Sequence, residues 1–229
     1  MATASKVELF KFPRTRHLFD AGGSGVSRDD LLMDPGEEKA FYSATRTSKK
    51  GKAASKKAGA GNGNGTLVAL EEKVDGANLG ISLGDDMQFQ VQNRSHFINS
   101  KTHRQFAPLD SWLSEHSPGL FQVLGEDPGN YVLFGEWLYA KHSIHYTRLP
   151  GYFMAFDVFD CKAGKFFSWR ERNRRLEGSG IPVVRQIAET TLSGRDEVSV
   201  KTPLYCVSAV NFIIFMPRLQ TILSIYFLP

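Results

Sequence analysis

The sequence predicts an α+β fold built from antiparallel strands and short helices. Two segments, NLGISL and MQFQVQNR, alternate apolar and polar residues with the period of a strand, and residues 84–86 between them suit a hairpin turn. Within residues 108–125 the apolar residues recur at helical spacing instead, and Pro118 divides this stretch into two short helices.

Further segments extend this pattern in both directions. LVALEEKV alternates like a strand, and residues 131–140 and 151–160 are rich in the β-branched and aromatic residues that favour strands. Ser168, with Glu171 three residues later, forms a capping box at the start of a helix that Gly178 ends. Four arginines make this helix basic, which is typical of a solvated face and compatible with contact to nucleic acid.

Composition divides the chain into four parts. Residues 1–20 form an N-terminal segment, and residues 21–65 form a basic insertion rich in Gly, Ser and Lys that we expect to be flexible because it holds few bulky side chains. The ordered domain spans residues 66–195. Residues 196–229 form an apolar tail without clean periodicity, which we expect not to be the natural continuation of the domain.

The distribution of charge and cysteine limits the possible partners and compartments. The net charge of +4 is concentrated in the first 65 residues, where a basic run could neutralise nucleic-acid phosphates or simply be solvated. Cys161 and Cys206 lie in no metal-ligand spacing, so neither a disulfide framework nor a zinc site is expected. No secretory signal is recognisable, which leaves cytoplasm or nucleus as the default location. The apolar tail is not expected to span a membrane, because Pro217 and Arg218 interrupt its run of apolar residues. We therefore expect no membrane partner.

The segment EKVDGAN, residues 72–78, contains the residues that indicate a chemical function, which the composition alone does not. It places Lys73 at a turn between two predicted strands, with Gly76 three residues later. A lysine amine in a partly desolvated pocket gives up its proton more readily and becomes a nucleophile. Glycine lets the backbone approach a ligand closely. Taken alone, however, the tetrapeptide KVDG is more typical of a surface turn with a solvated lysine.

Three later segments decide between these readings. EKVDGAN resembles the lysine motif of covalent nucleotidyltransferases, and its flanking Glu72 and Asn78 most resemble the ATP-dependent RNA ligases of the phage and trypanosome-editing type. The segments NRSHF, FGEW and YFMAFDVFD then follow in the order in which this family carries its motifs. The resemblance implies a nucleotidyltransferase domain, with antiparallel sheets around a nucleotide cleft and short helices at the periphery.

The same resemblance implies a role for each matching residue. Lys73 would become adenylylated, and Asn78 would act in the sealing step. The residues expected to bind the nucleotide are Glu72, Gly76, Arg94, Glu136 and Phe156, of which Glu136 would also support the metal and Phe156 would stack on adenine. Without the resemblance, Phe156 would be strand core, Arg94 a surface arginine, and Glu136 a structural carboxylate in need of a partner.

The implied activity is RNA ligation in RNA repair, with ATP and Mg²⁺ as cofactors and nicked or broken RNA ends as substrate. The family pattern continues with a Glu-Gly-x-Val strand and a pair of lysines, and neither is evident here, since Glu177 and Gly178 end a helix. We therefore expect a domain truncated after the fourth of six motifs. The alternative is a truncated isoform or pseudoenzyme that only binds ATP or RNA weakly; GTP transfer of the capping type is disfavoured by Glu72 and Asn78. The oligomeric state is not predicted.

Overall fold

The structure is a computed structural model that describes residues 8–14, 16–18, 31–43, 66–142, 144–197, 211–215 and 222–225. The chain forms two compact units, which are described separately below. The first contains Met1–Pro13 and Val74–Val184, and the second contains Arg14–Lys73 and Arg185–Pro229.

The described residues contain twelve strands, four α-helices and one 3-10 helix, Arg104–Phe106. In chain order the strands are β1 (Arg16–His17), β2 (Leu31–Leu32), β3 (Thr66–Lys73), β4 (Ala77–Leu83), β5 (Phe89–Gln92), β6 (Phe97–Ile98), β7 (Tyr131–Trp137), β8 (Phe153–Asp160), β9 (Lys165–Phe166), β10 (Gln186–Leu192), β11 (Asn211–Phe215) and β12 (Ile222–Ile225). The helices are α1 (Pro35–Ser43), α2 (Leu109–Glu115), α3 (Ser117–Leu124) and α4 (Trp169–Leu176).

The first unit is built on an antiparallel sheet with the strand order β6-β5-β4-β7-β8-β9. Alternate residues of its central strands point to one face and pack with helices α2, α3 and α4. This core face includes Leu79, Ile81, Leu133, Trp137, Phe153, Ala155 and Val158. The predicted α+β class and antiparallel sheet are confirmed.

A β-bulge in β8 changes which side chains face the core. Phe134 pairs with Asp157 and Gly135 pairs with Ala155, so Phe156 is the extra residue between two ladder pairs. In β8 every second residue up to Ala155 packs into the core, and the next core residue is Val158, three positions later. The bulge therefore turns two consecutive side chains, those of Phe156 and Asp157, away from the core face.

The opposite face of this sheet is partly covered by the N-terminal segment. The ring of Phe10 stacks on Phe159 with centroids 3.6 Å apart, and its main-chain N–H donates to the side-chain oxygen of Gln92 over 3.3 Å. Phe12 lies edge-on to Phe156, with ring centroids 5.3 Å apart. Aromatic packing, rather than strand pairing, thus holds this segment on the sheet.

The second unit contains a mixed sheet with the order β10-β3-β11-β12-β1-β2, in which β1 runs parallel to both of its neighbours. Its core contains the fully buried side chain of Phe41, from α1, together with Leu18, Val68, Leu70 and Leu192. Helix α1 begins at a reciprocal cap, because the Glu37 N–H donates to Asp34 over 2.8 Å and the Asp34 N–H donates to Glu37 over 3.1 Å.

Helix α1 corrects one part of the sequence prediction. Residues 21–65 were expected to form a flexible insertion, but Pro35–Ser43 form a helix whose Phe41 is buried. The Lys-rich run 48–65 lies outside the described residues. Strands β11 and β12 fall within the predicted apolar tail. In the described part of the chain, no helix has the length and apolar character needed to cross a membrane.

Several local predictions are confirmed. The hairpin at residues 84–86 joins β4 to β5, and the Met87 N–H donates to the Gly84 carbonyl oxygen over 2.9 Å. Pro118 separates α2 from α3 and stands in the first turn of α3. The capping box of Ser168 and Glu171 starts α4, and Gly178 adopts a positive φ of 76° just beyond its end.

Candidate functional site

Lys73 is the last residue of β3 rather than a residue of the following turn. It pairs with Asn211 of β11, and its side chain is half-buried in the second unit. The preceding residue, Glu72, is fixed by a main-chain hydrogen bond from its N–H to the Arg185 carbonyl oxygen over 2.9 Å. The sheet therefore defines the backbone from which the lysine side chain extends.

The three residues after Lys73 are held by contacts within the first unit. The Asp75 N–H donates to the hydroxyl oxygen of Tyr146 over 2.7 Å. A Cβ atom on Gly76 would stand 2.5 Å from the Trp137 carbonyl oxygen, a distance that side chains do not tolerate. The close approach that requires glycine here is therefore an approach to the protein's own backbone at the end of β7.

Asn78 and Glu136 lie directly opposite each other on β4 and β7, and Met154 of β8 lies opposite Glu136. All three alternate with core residues, so they belong to the face that the helices leave uncovered. The amide nitrogen and oxygen of Asn78 are buried and have no hydrogen-bond partner among the described residues. A buried amide ordinarily has a partner, so these two atoms mark Asn78 as unusual.

Phe156 lies on the same face, next to Asp157, at the bulge in β8. It is only 8% exposed, with Phe12 edge-on to its ring, and it does not belong to the helix-covered core. The bulge removes the Phe156 carbonyl from the regular ladder, and the buried guanidinium of Arg172, on α4, donates to that oxygen over 2.5 Å. Arg172 also donates to the Asn173 side-chain oxygen over 2.8 Å.

Arg94 lies in the short connection between β5 and β6 and is exposed. The side-chain oxygen of Asn93 accepts hydrogen bonds from the N–H groups of Ser95 and His96, over 2.8 and 2.9 Å, which fixes this turn. In the β4–β5 ladder Gln92 pairs with Gly80, so Arg94 follows at the end of the sheet where β4 begins and Asn78 lies.

The structure thus assembles part of the predicted site within one unit. Asn78, Glu136 and Phe156 share the face of one sheet that lies opposite the helices and is partly covered by the N-terminal segment, and Arg94 lies at the end of that sheet. Glu72 and Lys73 belong to the second unit and are joined to this sheet through residues 74–76. In the part of the chain that is described, no group of three His, Cys, Asp or Glu side chains could hold a metal ion.

Two residues near the site were not predicted from the sequence. Tyr146 contacts Asp75 of the lysine motif from a loop 71 residues later, and Arg172 supports the bulge from a helix that the sequence marks only as basic. The capping box that orients α4 was visible in the sequence. The pairing of these residues with Asp75 and Phe156 depends on tertiary structure, for which the sequence carries no local signal.

Comparison with known proteins identifies the family. The family model described as RNA ligase matches residues 66–208, which is more than half of the chain. The chain belongs to the RNA ligase family. The matched range begins at β3 and extends beyond residue 195, the predicted end of the ordered domain. No curated protein sequence matches the chain.

Solved structures of RNA ligases share this fold. A lysine-to-alanine variant of the Naegleria gruberi RNA ligase with ATP and Mn is 15% identical with a TM-score of 0.52, over 71% of this chain and 49% of that one. The same enzyme with PPi is 16% identical with a TM-score of 0.53, over 71% and 50%. An archaeal ATP-dependent RNA ligase is 19% identical with a TM-score of 0.50, over 69% and 42%. The chain matches half or less of the length of these structures.

Proposed function

We propose that this RNA ligase family member uses ATP to adenylylate Lys73 and transfers the adenylate to RNA ends that it then seals. The observation that carries the proposal is the pair formed by Asn78 and Glu136 on the face of the sheet opposite the helices. The amide atoms of Asn78 are buried without a hydrogen-bond partner among the described residues and lie beside the carboxylate of Glu136. Asn78 is also five residues from the half-buried Lys73 in the chain. This combination suits the binding of a polar ligand better than a structural role in the core.

In the first step the neutral amine of Lys73 attacks the α-phosphorus of ATP. A nitrogen–phosphorus bond forms, the bond from the α-phosphorus to the bridging oxygen breaks, pyrophosphate leaves, and the amine proton passes to solvent. Positioning and charge neutralisation dominate such phosphoryl transfers. The pairing of β3 with its neighbours supports this role, since it fixes the backbone of the nucleophile.

In the second step an oxygen of the RNA 5′-phosphate attacks the lysine-bound phosphorus, the nitrogen–phosphorus bond breaks, the lysine nitrogen takes up a proton, and an adenylylated RNA end results. In the third step a 3′-hydroxyl attacks the 5′-phosphorus, the phosphorus–oxygen bond to AMP breaks, AMP leaves, and the hydroxyl proton passes to solvent. We assign Asn78 to this sealing step, where its amide can donate to a phosphate or ribose oxygen and accept from a hydroxyl.

The nucleotide contacts follow from the same face of the sheet. Phe156 offers an aromatic surface for adenine, a contact that contributes on the order of 1–3 kcal/mol for a nucleic-acid base. Glu136 can accept hydrogen bonds from the ribose hydroxyls. Arg94, exposed at the end of the sheet, offers a planar donor fork suited to phosphate oxygens. Glu72 and Gly76 shape the backbone on either side of the nucleophile.

The donor set suits Mg²⁺ that arrives with ATP. Mg²⁺ is usually bound by one or two carboxylates together with substrate phosphates, and Glu136 is a half-buried carboxylate beside the Asn78 amide. When bound, the metal would neutralise charge on the phosphates.

Incubation with α-labelled ATP and Mg²⁺ tests the proposal. The full chain should acquire an acid-labile label that Lys73→Ala abolishes and that Lys101→Ala, a change at an exposed lysine of the first unit, retains. Equal labelling of Lys73→Ala would exclude the assigned nucleophile. Binding of ATP without any label would favour the alternative of a protein that binds nucleotide but does not transfer it.

A further inference from the structure

The loop that joins β7 to β8, residues 138–152, exposes an aromatic pair. Tyr139 and Tyr152 are 46% and 44% exposed, and their rings meet edge to face with centroids 5.1 Å apart. Tyr152 also lies 6.0 Å from the ring of Trp137, and the Leu138 N–H donates to the Tyr152 carbonyl oxygen over 2.7 Å. The two ends of the loop are thus held together beneath the exposed rings.

The same loop is basic. Lys141, His142, His145 and Arg148 are exposed, and no aspartate or glutamate occurs in the sequence between Glu136 and Asp157. Exposed cations beside exposed aromatic rings form the combination that binds single-stranded nucleic acid, since the cations contact phosphates while bases stack on the rings.

The loop is also tied to the lysine motif. The Tyr146 hydroxyl accepts the hydrogen bond from the Asp75 N–H, two residues after Lys73. Gly76 fits closely against Trp137 and Leu138, where the loop leaves β7. A strand of nucleic acid on the exposed side of this loop would therefore be anchored to the segment that directly follows the nucleophile in the chain.

We infer that this loop binds the single-stranded end of an RNA substrate through Tyr139, Tyr152, Lys141 and Arg148. The inference rests on the proposed ligase function for its choice of RNA. Single-stranded RNA is favoured over duplex because an exposed aromatic ring stacks on unpaired bases, whereas the bases of a duplex are already stacked and duplexes are recognised mostly by shape.

Binding of a fluorescent 12-nucleotide RNA without ATP tests the inference apart from adenylylation. Tyr139→Ala/Tyr152→Ala should weaken binding about fivefold or more, and Tyr139→Phe/Tyr152→Phe should restore it, because a phenylalanine ring still stacks. Lys141→Ala/Arg148→Ala should weaken binding and flatten its dependence on salt. Lys101→Ala/Lys165→Ala, which removes two exposed cations elsewhere in the unit, should leave affinity unchanged.

Wild-type affinity in the tyrosine-to-alanine variant, or an equal loss for a blunt RNA duplex, would overturn the inference. Labelling with ATP separates this result from the proposed function. If the tyrosine-to-alanine variant still forms the lysine adduct but binds RNA more weakly, the defect lies in RNA binding by the loop. A wild-type chain that forms no adduct yet binds RNA through the tyrosines supports the loop assignment and contradicts the ligase proposal.

Discussion

The guanidinium of Arg172 donates a hydrogen bond to the main-chain oxygen of Phe156 over 2.5 Å, at the bulge in β8. Arg172 is fully buried, and its neighbour Asn173 accepts two further hydrogen bonds from it. A buried charge is costly unless it is well hydrogen-bonded, so its presence here indicates that the bulge needs a strong donor. The proposed adenine platform thus depends on a residue of α4.

Substitution of Arg172 should therefore impair ATP binding. In Arg172→Gln the shorter neutral side chain no longer reaches the Phe156 carbonyl, and we expect the KM for ATP in adduct formation to rise roughly tenfold, equivalent to about 1.4 kcal/mol, with a smaller change in kcat. Rates of adduct formation at varied ATP concentration give KM and kcat separately and so test this expectation.

Two variants distinguish positioning from general destabilisation. Arg172→Lys keeps a buried donor and should recover part of the affinity for ATP. Arg174→Gln changes an exposed arginine of the same helix and should leave KM unchanged. If Arg172→Gln lowers the melting temperature but keeps the KM of the wild type, Arg172 does not position the platform.

The capping box at α4 predicts a dependence of stability on pH. Hydrogen bonds from the main-chain N–H and the hydroxyl of Ser168, at 2.9 and 2.8 Å, lower the pKa of Glu171. The stabilisation from ionised Glu171 is present above its unfolded pKa, about 4.3, and is lost as the pH falls through the lowered folded value. Ser168→Ala should cost about 1 kcal/mol near neutral pH.

That cost should shrink as the pH falls below about 4, because the Ser168 hydroxyl then has no ionised carboxylate to donate to, whereas the hydrogen bond from the Glu171 N–H to the Ser168 hydroxyl oxygen persists. Denaturation at several pH values measures it. Ser114→Ala, at an exposed position of α2 that caps no helix, should leave stability unchanged or slightly raised, because alanine favours helix more than serine does, and this effect should not vary with pH. A cost of Ser168→Ala that stays constant down to pH 3 would rule out the linkage to Glu171.

The sequence predicted elements whose signals are local. Pro118 marked the boundary between two helices, and Ser168 with Glu171 marked the start of a third, because these residues act on their own turn of backbone. Helix α1 was missed although Asp34, Pro35 and Glu37 form a comparable start signal. The polar composition of residues 21–65 outweighed that signal, and the buried Phe41 shows that a short helix needs few apolar side chains.

The arrangement of the site depends on pairing that the sequence does not contain. Asn78 and Glu136 are 58 residues apart in the chain, and only the register between β4 and β7 places them opposite each other. Likewise, simple alternation would place Asp157 on the core face, and only the extra residue in β8 turns it away. The motifs indicated which residues to examine, but strand register and the bulge determine where they meet.

Gly76 provides a steric test of the lysine motif. Gly76→Ala would place a Cβ 2.5 Å from the Trp137 carbonyl oxygen, so the backbone of residues 74–77 must shift, at a typical cost of about 1–3 kcal/mol. We expect adduct formation to fall at least as much as stability does. Gly194→Ala, where the added Cβ meets no atom within 4 Å, should change neither. Full activity of Gly76→Ala would contradict the close approach.

Asn78 allows a comparison between a functional and a structural amide on one sheet. Its amide atoms are buried without a partner among the described residues, so Asn78→Ala removes groups that contribute no internal hydrogen bond, and the free energy of unfolding should stay constant or rise. Sealing of a nicked RNA should nevertheless fall about 100-fold, the typical loss when one donor to a developing charge is removed.

Gln92 is the matched control for that comparison. Its side chain is also buried, but it accepts a hydrogen bond from the Phe10 N–H and donates one to the Phe10 carbonyl oxygen over 2.5 Å. Gln92→Ala should therefore lower the free energy of unfolding, by about 1–3 kcal/mol, because it leaves both main-chain groups of Phe10 without their partner. Chemical denaturation and a sealing assay on both variants measure the contrast. If Asn78→Ala loses stability as Gln92→Ala does and seals RNA normally, Asn78 is a structural residue and the face of the sheet opposite the helices is not where sealing occurs.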